Sequence, residues 1–215
     1  METKISKFNY GILDVDGTLV DNRKLYRWLL AKILPLGFSV NGTDLYLPTG
    51  GLPLPSWAKF LQPIPGLTRF VLVAERGILK LADLLDLSRP KLFEGTEEVL
   101  SQLSQKGIKL FATSGSKTQK ATRRLEKAGI LSFFTAMAGS EMPKREHIPY
   151  FASQVDLPLQ DFAKQAFLIS DGPVDLHLAV RYGVYPVGVA QTLKPSLLLK
   201  QGAEEIVSNL GELLQ

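Results

Sequence analysis

The 215-residue chain contains no cysteine. That excludes a disulfide framework, a thiolate nucleophile and any Cys-ligated zinc or iron–sulfur site, so catalytic chemistry has to run on oxygen and nitrogen groups. Histidine is scarce, with only His147 and His177, at unrelated positions; each reads as a structural or surface residue. Long hydrophobic runs are also missing. The longest stretch without a charged residue, 45–58, is 14 residues long and carries three prolines, short of the roughly 18 apolar residues that a spanning helix needs. No membrane span is expected. The N-terminal METKISKFNYGILDVDG lacks the basic, apolar and small-residue order of a signal peptide, which makes a cytoplasmic location the expectation.

What is present is an ordinary globular composition, 45% hydrophobic and 21% charged with 18 Gly and 13 Pro, which excludes disorder as the main state. The formal charge of +4 at first suggests a polyanionic partner such as nucleic acid. Its position changes that reading. Residues 21–94 hold 10 Lys and Arg against 6 Asp and Glu, whereas the rest of the chain holds 15 of each. The excess belongs to one internal segment.

A β-α rhythm runs through the remainder. Apolar runs at 10–15, 108–113, 133–138, 166–170 and 184–189 read as strands covered on both faces. Helical spacing at 97–106, 117–128 and 174–182 is followed in each case by a capping glycine, Gly107, Gly129 or Gly183. Repeated units of this kind predict an α/β fold, a Rossmann-like three-layer core around a parallel sheet. Residues 21–94 break the rhythm. They hold eight of the 19 aromatic residues, and six of the 13 prolines lie between positions 35 and 65. Helical patterns at 22–34 and 67–86 flank that Pro-rich stretch, so a mainly helical module inserted into a core of 1–20 and 95–215 is expected.

Candidate chemistry gathers at the predicted strand ends, where ligands bind in open parallel sheets. The first strand runs into Asp14-Val15-Asp16-Gly17-Thr18, and the second into Thr113-Ser114-Gly115-Ser116. Ser116 and Gln119 have capping-box spacing, so this loop offers hydroxyls and backbone amides at a helix N-terminus, a favourable place for an anion. A third end gives Ser170-Asp171-Gly172-Pro173-Val174-Asp175, with Lys144 upstream in a loop leading to a helix. Lys117, Lys120, Arg124 and Lys127 read as a solvated helix face.

Taken in order, DVDGT, Ser114, Lys144 and SDGPVD resemble the four motifs of the haloacid dehalogenase superfamily of phosphohydrolases, most closely its phosphoglycolate-phosphatase-like branch. Residues 21–94 sit where that family carries its helical cap, and 193–214 resemble its closing helix. The resemblance implies a Mg²⁺-dependent phosphatase acting on a small phosphorylated metabolite. Asp14 would be the nucleophile that forms an aspartyl-phosphate, and Asp16 the acid and base. Asp14, Asp171 and the Asp16 backbone carbonyl would hold the metal, with Asp175 behind them. Ser114, Gly115 and Lys144 would bind the phosphoryl oxygens.

Three departures stand out against that pattern: Ser170-Asp171 replaces the family's usual Gly-Asp, Thr113 competes with Ser114, although the family's spacing favours Ser114, and the Pro-rich stretch within residues 21–94 is the largest. Within the superfamily a phosphomutase is the nearest alternative, and would need a second phosphate site such as Arg23, Lys24 and Arg27. Outside it stands a non-catalytic binder of a phospho-ligand or nucleic acid; the placement of the charge favours a small phosphorylated ligand over nucleic acid. Tyr26, Trp28, Trp57 and Phe60 read as the inserted module's own core.

Overall fold

A computed structural model of the chain describes residues 4–21, 90–191 and 193–214. The expected helices at 22–34 and 67–86, the Pro-rich stretch, and the aromatic and basic residues singled out within them lie outside the described residues. The described residues fall in one compact unit formed by the two flanking stretches of chain.

In chain order this unit runs β1 (Tyr10–Asp14), α1 (Thr96–Gln105), β2 (Lys109–Thr113), α2 (Thr118–Ala128), β3 (Phe134–Ala138), α3 (Lys144–Ser153), α4 (Leu159–Lys164), β4 (Ala166–Ser170), α5 (Pro173–Tyr182), β5 (Tyr185–Val189), α6 (Pro195–Lys200) and β6 (Glu205–Val207). The strands form one sheet in the order β3-β2-β1-β4-β5-β6, every neighbouring pair parallel. The five strands expected from apolar runs are all present. Asp21 N–H donates to Lys91 O at 2.8 Å and Phe93 N–H to Leu19 O at 3.0 Å, so the segments that precede residue 22 and follow residue 89 are bonded to each other.

Alternation along the strands divides the core in two, because successive side chains point to opposite faces. Leu13, Leu110, Ala112, Phe167 and Ile169 pack with α1, α2 and the C-terminal 3₁₀ turn Leu210–Leu214. Ile12, Phe111 and Leu168 pack with α3, α4 and α5. The sheet is thus covered on both faces, as its continuous apolar runs require. No helix among the described residues is long and apolar enough to cross a membrane.

The C-terminal segment differs from expectation. Residues 193–214 do not form one closing helix: α6 stops at Lys200, Glu205–Val207 joins the sheet beside β5, and a 3₁₀ turn follows. Gly202 is the physical reason. Its φ of 92° leaves the helical region, and a Cβ there would lie 2.5 Å from Val180, so the chain turns; the β-branched Ile206 and Val207 then pair as strand.

Candidate active site

The chain winds outward from β1 through β2 to β3, then returns to the other side of β1 for β4, β5 and β6. The reversal opens a crevice at the carboxyl ends of β1 and β4, where Asp14 closes one strand and Ser170-Asp171 ends the other. Asp14 shares the strand face of Ile12, so its side chain looks toward α3 and α5. Those two helices deliver Lys144 and Asp175 to it.

Lys144 is the first residue of α3, not a loop residue as expected. Its Nζ donates to Asp175 Oδ2 at 2.6 Å and to Asp14 Oδ1 at 3.3 Å. Asp175 also accepts from Ser170 Oγ at 3.1 Å, and Ser170 Oγ in turn accepts from Gly172 N–H at 2.9 Å. Burial alone would push the Lys144 ammonium down, but Asp14 and Asp175 outweigh it and hold it above its ordinary value. Burial pushes the Asp14 carboxyl well above the usual range; Lys144 opposes the rise, and the charges of Asp175, Asp171 and Asp16 add to it.

The turn after β1 depends on Gly17. Its φ is 88°, and a Cβ on it would lie 2.3 Å from Asp171 Oδ2, so only glycine lets that carboxylate approach the backbone. Thr18 completes the junction: its Oγ1 accepts from Asp171 N–H at 2.9 Å and donates to Asp171 Oδ1 at 3.1 Å. From the end of β5 the Gln191 amide group faces the carbonyls of Gly17 and Thr18, each at 3.2 Å.

Asp16 looks the other way. Its Oδ2 accepts from Ser114 Oγ and Ser116 Oγ, both at 3.2 Å, and its Oδ1 pairs with Arg124 Nη1. Two expectations change here. Ser116 does not cap α2: the helix has no side-chain cap at Lys117, and Glu141 instead accepts from Thr118 N–H and Oγ1, each at 2.9 Å. Arg124 is not on a solvated face; it is buried against Asp16. One turn earlier Lys120 is half-buried, and burial together with the Arg124 charge pushes its ammonium down. The signal for Arg124 was available, since Ala121, Arg124, Leu125 and Ala128 form a single buried helical stripe.

Thr113 and Ser114 part company at the end of β2. Ser114 reaches Asp16, whereas Thr113 Oγ1 lies 2.7 Å from His147 Nδ1 on the α3 side. Gly115 is exposed at the mouth of the crevice, with open space where a Cβ would stand. Asp14, Asp16, Ser114, Lys144, Asp171 and Asp175 are therefore brought together, with Gly115 at their edge. Among the described residues no group of three or more His, Asp or Glu forms a ready-made metal cluster. Asp14 and Asp171 nevertheless offer hard oxygen donors in a pocket where carboxylates crowd. That fits a small divalent cation held by one or two carboxylates and otherwise by water and substrate.

Residues 12–189 match the family described as haloacid dehalogenase-like hydrolase. A relative from Caldanaerobacter subterraneus subsp. tengcongensis, provisionally named as the pyrophosphatase PpaX, is 24% identical over 216 residues, covering 95% of this chain and 92% of its own. Among solved structures, a haloacid dehalogenase-like family hydrolase from Streptococcus pneumoniae superposes with a TM-score of 0.72 at 20% identity, covering 97% of this chain and 98% of that one. A predicted phosphoglycolate phosphatase from Haemophilus somnus 129pt gives 0.69 at 17% identity, with 97% of each chain covered. At these identities the structural likeness is one of fold.

Proposed function

The chain belongs to the haloacid dehalogenase-like hydrolases, and from that premise we propose that it is a Mg²⁺-dependent phosphatase that cleaves a small phosphomonoester through an aspartyl-phosphate. The observation that carries this reading is the ammonium of Lys144 held between Asp14 and Asp175, with the Ser114 hydroxyl at the carboxyl end of the neighbouring strand β2. A nucleophilic carboxylate, a fixed cation and a hydroxyl donor face the same crevice.

In this reading an Asp14 carboxylate oxygen attacks phosphorus, a bond forms between them, and the bond from phosphorus to the leaving oxygen breaks. Asp16 gives its proton to that oxygen. Asp16 then takes a proton from water as the water oxygen attacks phosphorus, the bond to Asp14 breaks, and inorganic phosphate leaves. Lys144 and Ser114 donate to the phosphoryl oxygens, with the Gly115 backbone beside them, and stabilise the charge that develops there. Mg²⁺, held by Asp14, Asp171 and the Asp16 carbonyl with Asp175 in support, would supply the positive charge that lets two anions meet; each unit-charge pair at about 4 Å otherwise costs about 4 kcal/mol at an effective dielectric near 20.

Phosphate release from a panel of small phosphoesters, with and without Mg²⁺, tests this reading. Release that requires Mg²⁺ and disappears in Asp14→Asn is expected. Undiminished activity in that variant overturns the mechanism, and transfer to a second hydroxyl without phosphate release makes the protein a phosphomutase.

A further inference from the structure

We propose that His147 is a positioning residue for Lys144: a neutral imidazole that ties the start of α3 to the end of β2. The inference rests on the reading of Lys144 as a phosphoryl-binding residue. His147 is 2% exposed and sits one helical turn beyond Lys144. Its Nε2 faces the carbonyls of Gly139 at 3.2 Å and Met142 at 3.1 Å. Only an N–H can satisfy that position, which assigns the proton to Nε2. In the neutral ring that burial favours, Nδ1 is then an acceptor, and Thr113 Oγ–H donates to it at 2.7 Å.

One ring therefore joins three parts of the crevice: the residue that precedes Ser114 on β2, the loop between β3 and α3 at two points, and α3 itself. The N-cap of α3 is Pro143, with no side-chain cap, and a second tether holds the first turn from its outer side, where Tyr182 Oη donates to Arg145 O at 2.8 Å, the carbonyl that Pro149 leaves without its helical N–H. The charged groups acting on the ring are Lys144 on its own helix and Asp175 on α5, and the facing group from β2 is the neutral Thr113 hydroxyl. Burial favours the uncharged ring that this network needs.

If the ring sets the rotation and height of the first turn of α3, its loss moves the Lys144 ammonium off Asp14 and Asp175 without touching the phosphoryl group directly. Two readouts test this. The first is acylation of Lys144 by acetic anhydride, followed by peptide mass spectrometry on the full chain. Labelling is expected to be slow in the wild type, several-fold faster in His147→Ala and Thr113→Val, and partly restored in His147→Gln, which keeps a donor near Nε2. The second is binding of inorganic phosphate by calorimetry in a double-mutant cycle with Lys144→Met. His147→Ala is expected to weaken phosphate about tenfold when Lys144 is present and to have no further effect when it is absent.

Unchanged Lys144 labelling in a folded His147→Ala or Thr113→Val protein overturns the inference, as does equal weakening of phosphate in both Lys144 backgrounds. Should His147→Ala not fold, Thr113→Val carries the test, because it removes only one donor. Failure of the phosphatase reading would show separately, as a wild type without Mg²⁺-dependent phosphate release, and would leave the labelling result standing.

Discussion

Lys144 Nζ lies 2.6 Å from Asp175 Oδ2 and 3.3 Å from Asp14 Oδ1, so the ammonium is seated on α5 and leans toward the end of β1. Asp175 is the anchor and Asp14 the lighter partner, which leaves Asp14 able to turn to another group without losing the lysine. Asp175→Asn should therefore cost more than the removal of a distant charge. A fall in kcat of about 10- to 100-fold is expected, as for other supporting partners of a catalytic group, with the larger share in kcat. Steady-state kinetics on a responsive phosphoester measures it; a change in KM alone would assign Asp175 to ground-state binding.

Gly17 fixes the distance between the first turn and Asp171. Gly17→Ala introduces a Cβ that would stand 2.3 Å from Asp171 Oδ2 at a φ of 88°, so either the turn or the carboxylate has to move. A loss of at least ~1 kcal/mol in stability is expected, together with a weaker response to Mg²⁺. Urea unfolding and a Mg²⁺ titration of activity read the two effects independently.

Divalent cation binding should register in stability as well as in turnover. Anything that binds the folded chain and not the unfolded one stabilises it by mass action, about 2.7 kcal/mol at a concentration 100 times its dissociation constant. Mg²⁺ added after EDTA treatment should raise Tm by several degrees in the wild type. Asp14→Asn keeps the shape of the side chain and removes one carboxylate charge, so it should remain folded while its Mg²⁺ shift shrinks. An equal shift in both proteins would take Asp14 out of the ligand set.

Arg124 and His147 show what was and was not legible in the sequence. The strands announced themselves because a sheet covered on both faces demands unbroken apolar runs, and DVDGT stood out as two carboxylates at a strand end, whereas SDGPVD, whose carboxylates equally suit a helix start, gained its meaning from the order of the four motifs. Arg124 was hidden by its charge. Lysine and arginine at helical spacing imply a wet face, and only the apolar neighbours Ala121, Leu125 and Ala128 show that position 124 lies on the dry one. His147 has the same signature beside Ile148, Phe151 and Ala152. A polar residue on an apolar stripe is the mark of a buried partner, yet the partner itself, Asp16 or Thr113, lies far away in sequence and is joined only by the sheet. The C-terminal strand escaped for a different reason: three residues are too few to show a period.

Arg124→Met should test whether that buried charge matters to Asp16. The Asp16 side chain is 25% exposed, so water softens the loss and destabilisation should fall short of the ~3–5 kcal/mol of a fully buried pair. Activity should fall by roughly 10- to 100-fold, because in the proposed mechanism Asp16 is the acid and base and would lose the partner that orients it. Arg124→Lys should not restore it, since an ammonium lacks the planar fork of the guanidinium. Wild-type kcat in a folded Arg124→Met protein would make the pair purely structural.

The pH dependence of stability should carry a His147 component of definite sign. Burial holds the native imidazole below its ordinary value, whereas in the unfolded chain it protonates near pH 6.5. Below that pH the unfolded state gains a proton that the native state does not, so stability falls as pH drops from about 6.5 through the lowered native value. Above about 6.5 the contribution is constant. The difference between wild type and His147→Gln, measured by urea unfolding between pH 5 and 8, should therefore narrow toward the acid end; a difference independent of pH would mean that the ring already titrates normally in the fold.

Ser170 stands where the resembled family usually has glycine, and the structure gives the substitution a purpose. Its hydroxyl accepts from Gly172 N–H at 2.9 Å and donates to Asp175 Oδ2 at 3.1 Å, so it both closes the turn into α5 and aims the carboxylate that seats Lys144. Ser170→Gly removes both bonds from a buried position and frees the backbone of the turn. Each lost bond is worth about 1 kcal/mol, and the added chain entropy works in the same direction. A destabilisation of ~1–3 kcal/mol in urea is expected, with only a modest decline in kcat because Asp175 keeps its contact with Lys144. Ser170→Ala, which removes the hydroxyl and keeps the Cβ, separates the two effects: a cost equal to that of Ser170→Gly assigns it to the hydrogen bonds, and a much smaller one assigns it to the backbone.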